Sequence, residues 1–161
     1  MAVAALASAC GAAAGGGSTA PAPTPTAAAA ASPGASAGPR VAMPSGAVYR
    51  LELARTPEEQ ALGLMYRESL PERAGMIFLF DAADLHRFWM KNTMIPLDMI
   101  WMDESGKVIY VSANTPPCKA DPCATYGPES PARQVLEIAG GLAARENITA
   151  GSTLKFMDIP K

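Results

Sequence analysis

The hydrophobic pattern beyond residue 40 predicts a series of short strands. Between residues 46 and 54, Tyr49, Leu51 and Leu53 alternate with polar residues, as in a strand buried on one face. A continuous apolar run over 75–80 predicts a strand that is buried on both faces. The same criteria predict further strands over 87–91, 97–102, 107–111, 132–138 and 153–157. A turn over 103–106 joins two of them into a hairpin.

A helix start signal follows the first predicted strand. Thr56 is suited to the N-cap, Pro57 to the first helical position and Glu59 to the capping box. We expect this helix to run from Pro57 to Tyr66. Its inward-facing side chains are predicted to be Ala61, Leu62 and Met65. A second, shorter helix is expected over 140–147.

The number and length of these elements favour a mainly β fold. About seven short strands with one or two short helices are typical of a small β-sandwich or a partly open barrel. A long loop over 114–131 carries five prolines: Pro116, Pro117, Pro122, Pro128 and Pro131. The part of the chain from Arg40 onward is long enough for one hydrophobic core and too short for two.

The first 39 residues contain no charged side chain. Apolar and small residues precede Cys10, which resembles the end of a bacterial lipoprotein signal, in which the cysteine is lipidated. Leu6 stands one position earlier than that motif usually has its leucine, so an incidental cysteine in a low-complexity segment is the alternative. We expect a signal end over 1–10, a disordered Ala/Pro/Gly-rich linker over 11–45 and one β-rich domain over 46–161.

The net charge and the expected export signal limit the classes of partner that this chain is expected to bind. The formal net charge is −2 without a basic cluster, which disfavours nucleic-acid binding. We expect a monomer on the periplasmic side of the cell envelope, lipid-anchored or secreted. Its partner would be a small ligand or an envelope protein, and no cofactor is expected.

Several motifs resemble those of one known family. They are Glu58-Glu59-Gln60, Gly63-Leu64-Met65-Tyr66-Arg67, Gly75-Met76-Ile77-Phe78, Phe88-Trp89-Met90-Lys91-Asn92-Thr93, Pro96-Leu97-Asp98 and Pro116-Pro117-Cys118 with Asp121-Pro122-Cys123 and Tyr126. Over 46–158 the chain is similar to the domain of unknown function 192 family, DUF192. The resemblance implies a β-rich sandwich or barrel and frequent export, and it carries no activity or catalytic residue.

Cys118 and Cys123 are separated by four residues in the proline-rich loop. In an oxidising compartment this pair is expected to form a disulfide. Reactive thiols and a metal site are the alternatives, although a zinc site needs four ligands and His86 is the sole histidine.

The candidate ligand-binding residues are Arg67, His86, Trp89, Lys91, Asn92 and Asp98. Lys91 and Asn92 end one predicted strand and Asp98 opens the next, so they could converge with Arg67 around a small pocket. Such a pocket would hold an anionic or carbonyl-bearing ligand, with Trp89 and Trp101 as aromatic contacts. The alternative is a structural network in which Asn92 and Asp98 cap a turn and Lys91 pairs with Asp98.

The sequence contains no recognisable catalytic motif, and a non-enzymatic, envelope-anchored binding or interaction domain is our leading hypothesis. A hydrolase-type enzyme is the alternative, built on a cluster of His86, Lys91, Asn92 and Asp98 or on the carboxylates Glu52, Asp98 and Glu137. A copper-binding protein is a third hypothesis, because thioether ligands select Cu(I). Its candidate ligands are His86, Met90 and Met94, with Met76, Met99 and Met102 nearby in sequence.

Overall fold

Seven strands form one curled sheet in the computed structural model, which describes residues 38–160. The strands are β1 Arg40–Ala42, β2 Val48–Ala54, β3 Ala74–Asp84, β4 Phe88–Trp89, β5 Leu97–Met102, β6 Val108–Thr115, β7 Thr125–Tyr126, β8 Ala132–Ala139 and β9 Lys155–Met157. The helices are α1 Pro57–Leu62 and α2 Leu142–Arg145. The large sheet closes into a half-barrel, and β4 and β7 pair as a separate ribbon. The predicted mainly β, partly open barrel is confirmed.

The sheet has the strand order β6-β5-β8-β3-β2-β1-β9. Its neighbours are antiparallel except β2 and β3, which run parallel. Parallel neighbours need a crossover connection, and α1 lies within it. The predicted hairpin is present as β5 and β6.

Strand β5 is buried at every position, and the adjacent segments 75–78 of β3 and 135–138 of β8 are buried on both faces. Because side chains alternate along a strand, one core lies on each face. Ile77 and Ile100 belong to the first core, which α2 and the two ends of the described chain cover. Phe78 and Met99 belong to the second core. We call these the first and second faces of the sheet.

The domain begins before residue 46. Residues 40–42 were expected to belong to the linker, but they form β1 between β2 and β9. Val41 and Met43 are buried in the first core, which explains why this segment is held in the sheet. The predicted signal end, Cys10 and most of the linker lie outside the described residues. Within 38–160, no helix combines the length and apolarity needed to span a membrane.

Helix α1 starts as predicted and ends earlier. Thr56 Oγ1 accepts from the Glu59 backbone N–H at 3.2 Å, and the Thr56 N–H donates to Glu59 Oε2 at 3.0 Å, completing the capping box. The helix ends at Gly63, where φ is +47°. The predicted inward orientation of Ala61 and Leu62 is wrong, since Ala61 is exposed and Leu62 is 55% exposed. The chain turns at Gly63, and the buried side chain is Leu64 instead.

Asp98 lies on the first face of the sheet, where its side chain connects three segments of the chain. Its fully buried carboxylate accepts backbone N–H groups of Asn114, Gly141 and Ala143, the Gly141 bond measuring 3.0 Å. It therefore connects β5 to the end of β6 and to the start of α2. The expected ion pair between Asp98 and Lys91 is not formed, because the carboxylate is enclosed by these backbone donors.

The disulfide loop, residues 116–124, packs behind the segment that contains β4. The Cα atoms of Cys118 and Cys123 are 5.7 Å apart and their Sγ atoms lie at bonding distance, so the geometry permits the predicted disulfide. The loop is attached to its neighbour by the Cys118 N–H, which donates to the Met90 carbonyl oxygen at 3.2 Å.

Replacing Asp98 by alanine leaves three backbone N–H groups without their acceptor, one in a buried bond and two in partly buried bonds. We expect Asp98→Ala to lower the free energy of unfolding by about 3 kcal/mol or more, measured by urea denaturation. Asp81→Ala, at an exposed position, is the control and should change it by less than about 0.5 kcal/mol. Equal stabilities for the two variants would contradict the structural role of Asp98.

The disulfide predicts that the chain produced in an oxidising compartment is two hydrogens lighter than its reduced form by mass spectrometry. Replacing both Cys118 and Cys123 by serine should lower the free energy of unfolding by about 2 kcal/mol, because a short loop is no longer closed in the unfolded chain. Recovery of two free thiols from the oxidised preparation would rule the bond out.

Candidate functional site

A cleft of about 430 Å³ opens on the second face of the sheet. One wall is α1 and the turn that follows it, the floor is the sheet, and the other wall is the segment 85–93, which we call the aromatic wall. The lining residues are Gln60, Ala61, Leu62, Gly63, Leu64, Met65, Phe78, Phe80, Leu85, His86, Arg87, Phe88, Trp89, Thr93 and Glu137. The side chains of Ala61 and Leu62 are exposed because they face this cleft.

Glu137 is the ionisable group at the floor of the cleft. It lies on β8 between Met76 of β3 and Met99 of β5, which are its register partners, and it is 5% exposed. Among residues 38–160, no side chain or backbone N–H donates to its carboxylate. Burial alone raises the pKa of Glu137 to about 8, because desolvation disfavours the charged form.

Gly63 forms the roof above this carboxyl group. A Cβ atom at Gly63 would lie 3.1 Å from Phe78 Cζ and 3.9 Å from Glu137 Oε2. Any side chain at this position would therefore enter the cleft, and the positive φ of +47° also favours glycine. The missing side chain lets the α1 turn approach the sheet closely.

The aromatic wall is built around Phe88. Its ring lies nearly perpendicular to Phe78 at a centroid distance of 4.9 Å, to Phe80 at 6.4 Å and to Trp101 at 5.7 Å. His86 stacks on Phe80 at 3.5 Å. Trp101 Nε1 donates to the His86 carbonyl oxygen at 2.8 Å, which anchors the wall to β5.

Two of the six predicted ligand-binding residues, His86 and Trp89, line the cleft. Lys91 lies beside it, 3.5 Å from Asp121 of the disulfide loop and with Nζ 5.6 Å from the centroid of the Trp89 ring. Trp101 was expected to be an aromatic contact for a partner. That prediction is wrong, since Trp101 is fully buried in the second core.

The other predicted residues are engaged elsewhere. Arg67 makes a two-pronged ion pair with Glu52, with N···O distances of 2.6 and 2.7 Å. Asn92 Nδ2 donates to Tyr66 Oη at 2.8 Å, and Asn92 has a φ of +55° in its turn. Asp98 lies on the first face. The structure therefore does not gather Arg67, Lys91, Asn92 and Asp98 around one pocket.

The carboxylates of the hydrolase hypothesis are also separated. Glu52 and Glu137 occupy one row of the sheet with Met76 between them, so their backbones are about 10 Å apart at two strand spacings. Glu52 is paired with Arg67. Asp98 lies on the opposite face and accepts from backbone donors.

The proposed copper ligands occupy different environments. Met90 is buried in the second core, whereas Met94 is 57% exposed. His86 is stacked on Phe80. Within residues 38–160, no cluster of three His, Cys, Asp or Glu side chains is arranged to hold a metal ion.

Glu137 has the most unusual environment in the cleft. The sequence analysis named it only as one of three carboxylates in the hydrolase hypothesis. The available signal was its position in β8, where it interrupts the apolar run Val135, Leu136 and Ile138. A charged residue in a strand buried on both faces needs a partner or a function.

Glu137 should make the stability of the protein depend on pH. Its pKa is about 8 in the folded chain against an ordinary value of 4.5, so between these values the folded state holds one more proton than the unfolded state. The contribution of the protonated Glu137 to the free energy of unfolding is complete below pH 4.5 and is lost as pH rises to 8. Relative to Glu137→Gln, the free energy of unfolding of the wild type should decrease by about 1.4 kcal/mol per pH unit in this window.

Urea denaturation of the wild type and Glu137→Gln from pH 5 to pH 8 measures this difference. Glu104→Gln, changed at an exposed turn position, should follow the wild type. Parallel stability profiles for the wild type and Glu137→Gln would mean that Glu137 ionises normally.

Two solved structures share this fold. A crystal structure of a protein of unknown function from Novosphingobium aromaticivorans is 43% identical, with a TM-score of 0.65 over 73% of this chain and 82% of that chain. A protein from Sinorhizobium meliloti, described as a proposed transcription regulator, is 30% identical, with a TM-score of 0.66 over 75% of this chain and 93% of that chain. No curated protein matches the chain.

The family comparison agrees with the motifs noted in the sequence. The DUF192 family, described as an uncharacterised ACR, matches residues 40–156. This match includes every strand from β1 to β8 and all the residues that line the cleft. The chain belongs to the DUF192 family.

Proposed function

We propose that this chain is a non-enzymatic binding domain of the cell envelope that takes a small, largely apolar ligand into the cleft. The observation that carries the proposal is the carboxyl group of Glu137, which is 5% exposed, lines a cavity of about 430 Å³ and has no hydrogen-bond partner among residues 38–160. Cavities of this size, lined mostly by apolar groups with few polar ones, are typical of small-molecule sites.

The rim of the cleft supports an apolar ligand. Leu62, Leu85 and Trp89 line the cleft and are about half exposed. Large apolar side chains grouped around a concave site mark interaction surfaces, because water contact with them is unfavourable. A ligand that covers all three would remove this apolar area from water.

The surroundings of His86 favour binding over hydrolysis. Its ring stacks on Phe80, and within the described chain Nε2 lies near the Ala82 carbonyl oxygen at 3.3 Å. In a hydrolase of the nucleophile–histidine–acid type, the histidine contacts a nucleophile on one side and an orienting group on the other. Neither a hydroxyl nor a carboxylate in residues 38–160 contacts the His86 ring.

The envelope location rests on the sequence pattern that ends at Cys10, with the linker as a spacer between a lipid anchor and the domain. The disulfide geometry at Cys118 and Cys123 is consistent with an oxidising compartment.

We propose no nucleic-acid partner, although one relative is described as a transcription regulator. The net charge is −2, and several basic side chains are already paired with carboxylates. These pairs are Arg40–Asp158, Arg67–Glu52, Arg87–Glu129, Lys91–Asp121 and Arg145–Glu146.

The uncharged fluorophore N-phenyl-1-naphthylamine tests the cleft, because its emission increases in apolar surroundings. The wild type should bind it saturably with one site per chain. Ala61→Trp should weaken binding at least tenfold, because the new ring occupies the cleft. Glu58→Trp is the matched control, placed on the same helix outside the cleft lining, and should bind as the wild type does.

Circular dichroism of both variants checks that they fold. No saturable emission with the wild type would overturn the proposal, and so would equal binding by the wild type and a folded Ala61→Trp variant.

A further inference from the structure

We infer that the ligand of this cleft is an organic ammonium ion, whose positive nitrogen lies against the Glu137 carboxylate and whose apolar part contacts the aromatic wall. This inference rests on the proposed function and adds the chemical class of the ligand. It differs from the anionic or carbonyl-bearing ligand that the sequence suggested.

The first argument is the balance of donors and acceptors in the cleft. Gln60 Nε2 donates to the carbonyl oxygens of Arg55 and Leu79, at 3.3 and 2.9 Å. Arg87 donates to the Gly127 carbonyl oxygen and to Glu129. These two side chains direct their donors into the protein, so neither is available to an anion in the cleft.

The acceptor side is different. The Glu137 carboxyl group is directed towards the Gly63 roof, and within residues 38–160 it receives no hydrogen bond. A ligand that donates hydrogen bonds or carries positive charge would satisfy it. A cation would also offset the cost of ionising a buried carboxyl group, which a neutral donor does less well.

The second argument is the group of aromatic rings that line the cleft, Phe78 and Phe80 from the floor and Phe88 and Trp89 from the aromatic wall. Phe78 is buried and one face of Phe80 is covered by His86, so Phe88 and the half-exposed Trp89 are the more accessible rings. The Trp89 ring already has a cation near it, since Lys91 Nζ lies 5.6 Å from its centroid. The negative face of an aromatic ring attracts a cation, and aromatic cages are a known way to recognise quaternary ammonium groups.

The positively charged side chains near the cleft have partners of their own. Arg87 lines the cleft and is paired with Glu129, and Lys91 lies beside the cleft and is paired with Asp121. Glu52 lies in the same sheet row as Glu137, two strands away, and is paired with Arg67. From α1 the polar lining residue is the uncharged Gln60.

Ligand binding should therefore depend on the ionisation of Glu137. Because its pKa is about 8 in the empty cleft, roughly a tenth of the molecules carry the carboxylate at pH 7 and roughly nine tenths at pH 9. The affinity for a permanent cation should increase about tenfold between these pH values.

Phenyltrimethylammonium is a suitable probe because its charge does not change with pH. Its neutral isostere, tert-butylbenzene, has nearly the same shape. NMR titrations of the full chain at pH 7 and pH 9 should show tighter binding of the cation at pH 9, and an affinity for the isostere that does not depend on pH.

Two variants test whether the pH dependence of cation binding comes from the Glu137 carboxylate. Glu137→Gln should lose the pH dependence and the preference for the cation while it still binds tert-butylbenzene. Glu58→Gln, which removes an exposed carboxylate of α1 outside the cleft lining, should keep both, which separates Glu137 from a general change in surface charge. The NMR spectra of the variants also report that they are folded.

Failure of this inference can be told apart from failure of the proposed function. Equal binding of the cation and the isostere at pH 9, no cation binding at pH 9, or unchanged cation binding by Glu137→Gln would each overturn it. Saturable binding of N-phenyl-1-naphthylamine in the same preparation would then leave the cleft as a site for neutral ligands. Loss of that binding as well would remove both proposals.

Discussion

One sheet with two buried faces is the constraint on which the rest of this structure depends. Strand β5 and the adjacent segments 75–78 of β3 and 135–138 of β8 are buried on both faces, so a short chain must supply two covers. The first cover is formed by α2 and the two ends of the described chain, and the Asp98 carboxylate connects α2 to the sheet. The second is assembled from the α1 turn, the aromatic wall and the disulfide loop. These pieces do not close completely, and the cleft is the space that they leave.

The parallel pair of β2 and β3 explains where the helix lies. A crossover between parallel neighbours must pass over one face of the sheet. Here it passes over the second face, since Gly63 after α1 approaches Phe78 and Glu137 there. The connection thus places a short helix above the single carboxyl group on the floor. The crossover between β2 and β3 therefore determines both the chain topology and the position of the cleft.

Sequence reasoning predicted the elements whose signals are local. The apolar run of β5 and the capping box of α1 each depend on a few adjacent residues, and both are present. Strand β1 was missed because it has three residues and lies beside the charge-free segment. The cleft could not be predicted, because Gly63, Phe88 and Glu137 are far apart in sequence and meet only in the folded sheet. His86 and Trp89, which were named from their chemistry, line the cleft, whereas Asp98 has a structural role that its chemistry alone did not reveal.

The disulfide loop also affects how a ligand could enter. The aromatic wall is held from behind by the β4–β7 ribbon, by the Cys118 N–H and by the Lys91–Asp121 pair. Helix α1 buries none of its six residues, and Gln60 Nε2 connects it to the Leu79 carbonyl oxygen of β3. The two walls of the cleft are thus attached to different parts of the fold. Opening the disulfide would remove support from the aromatic wall and leave the attachment of α1 to the floor intact.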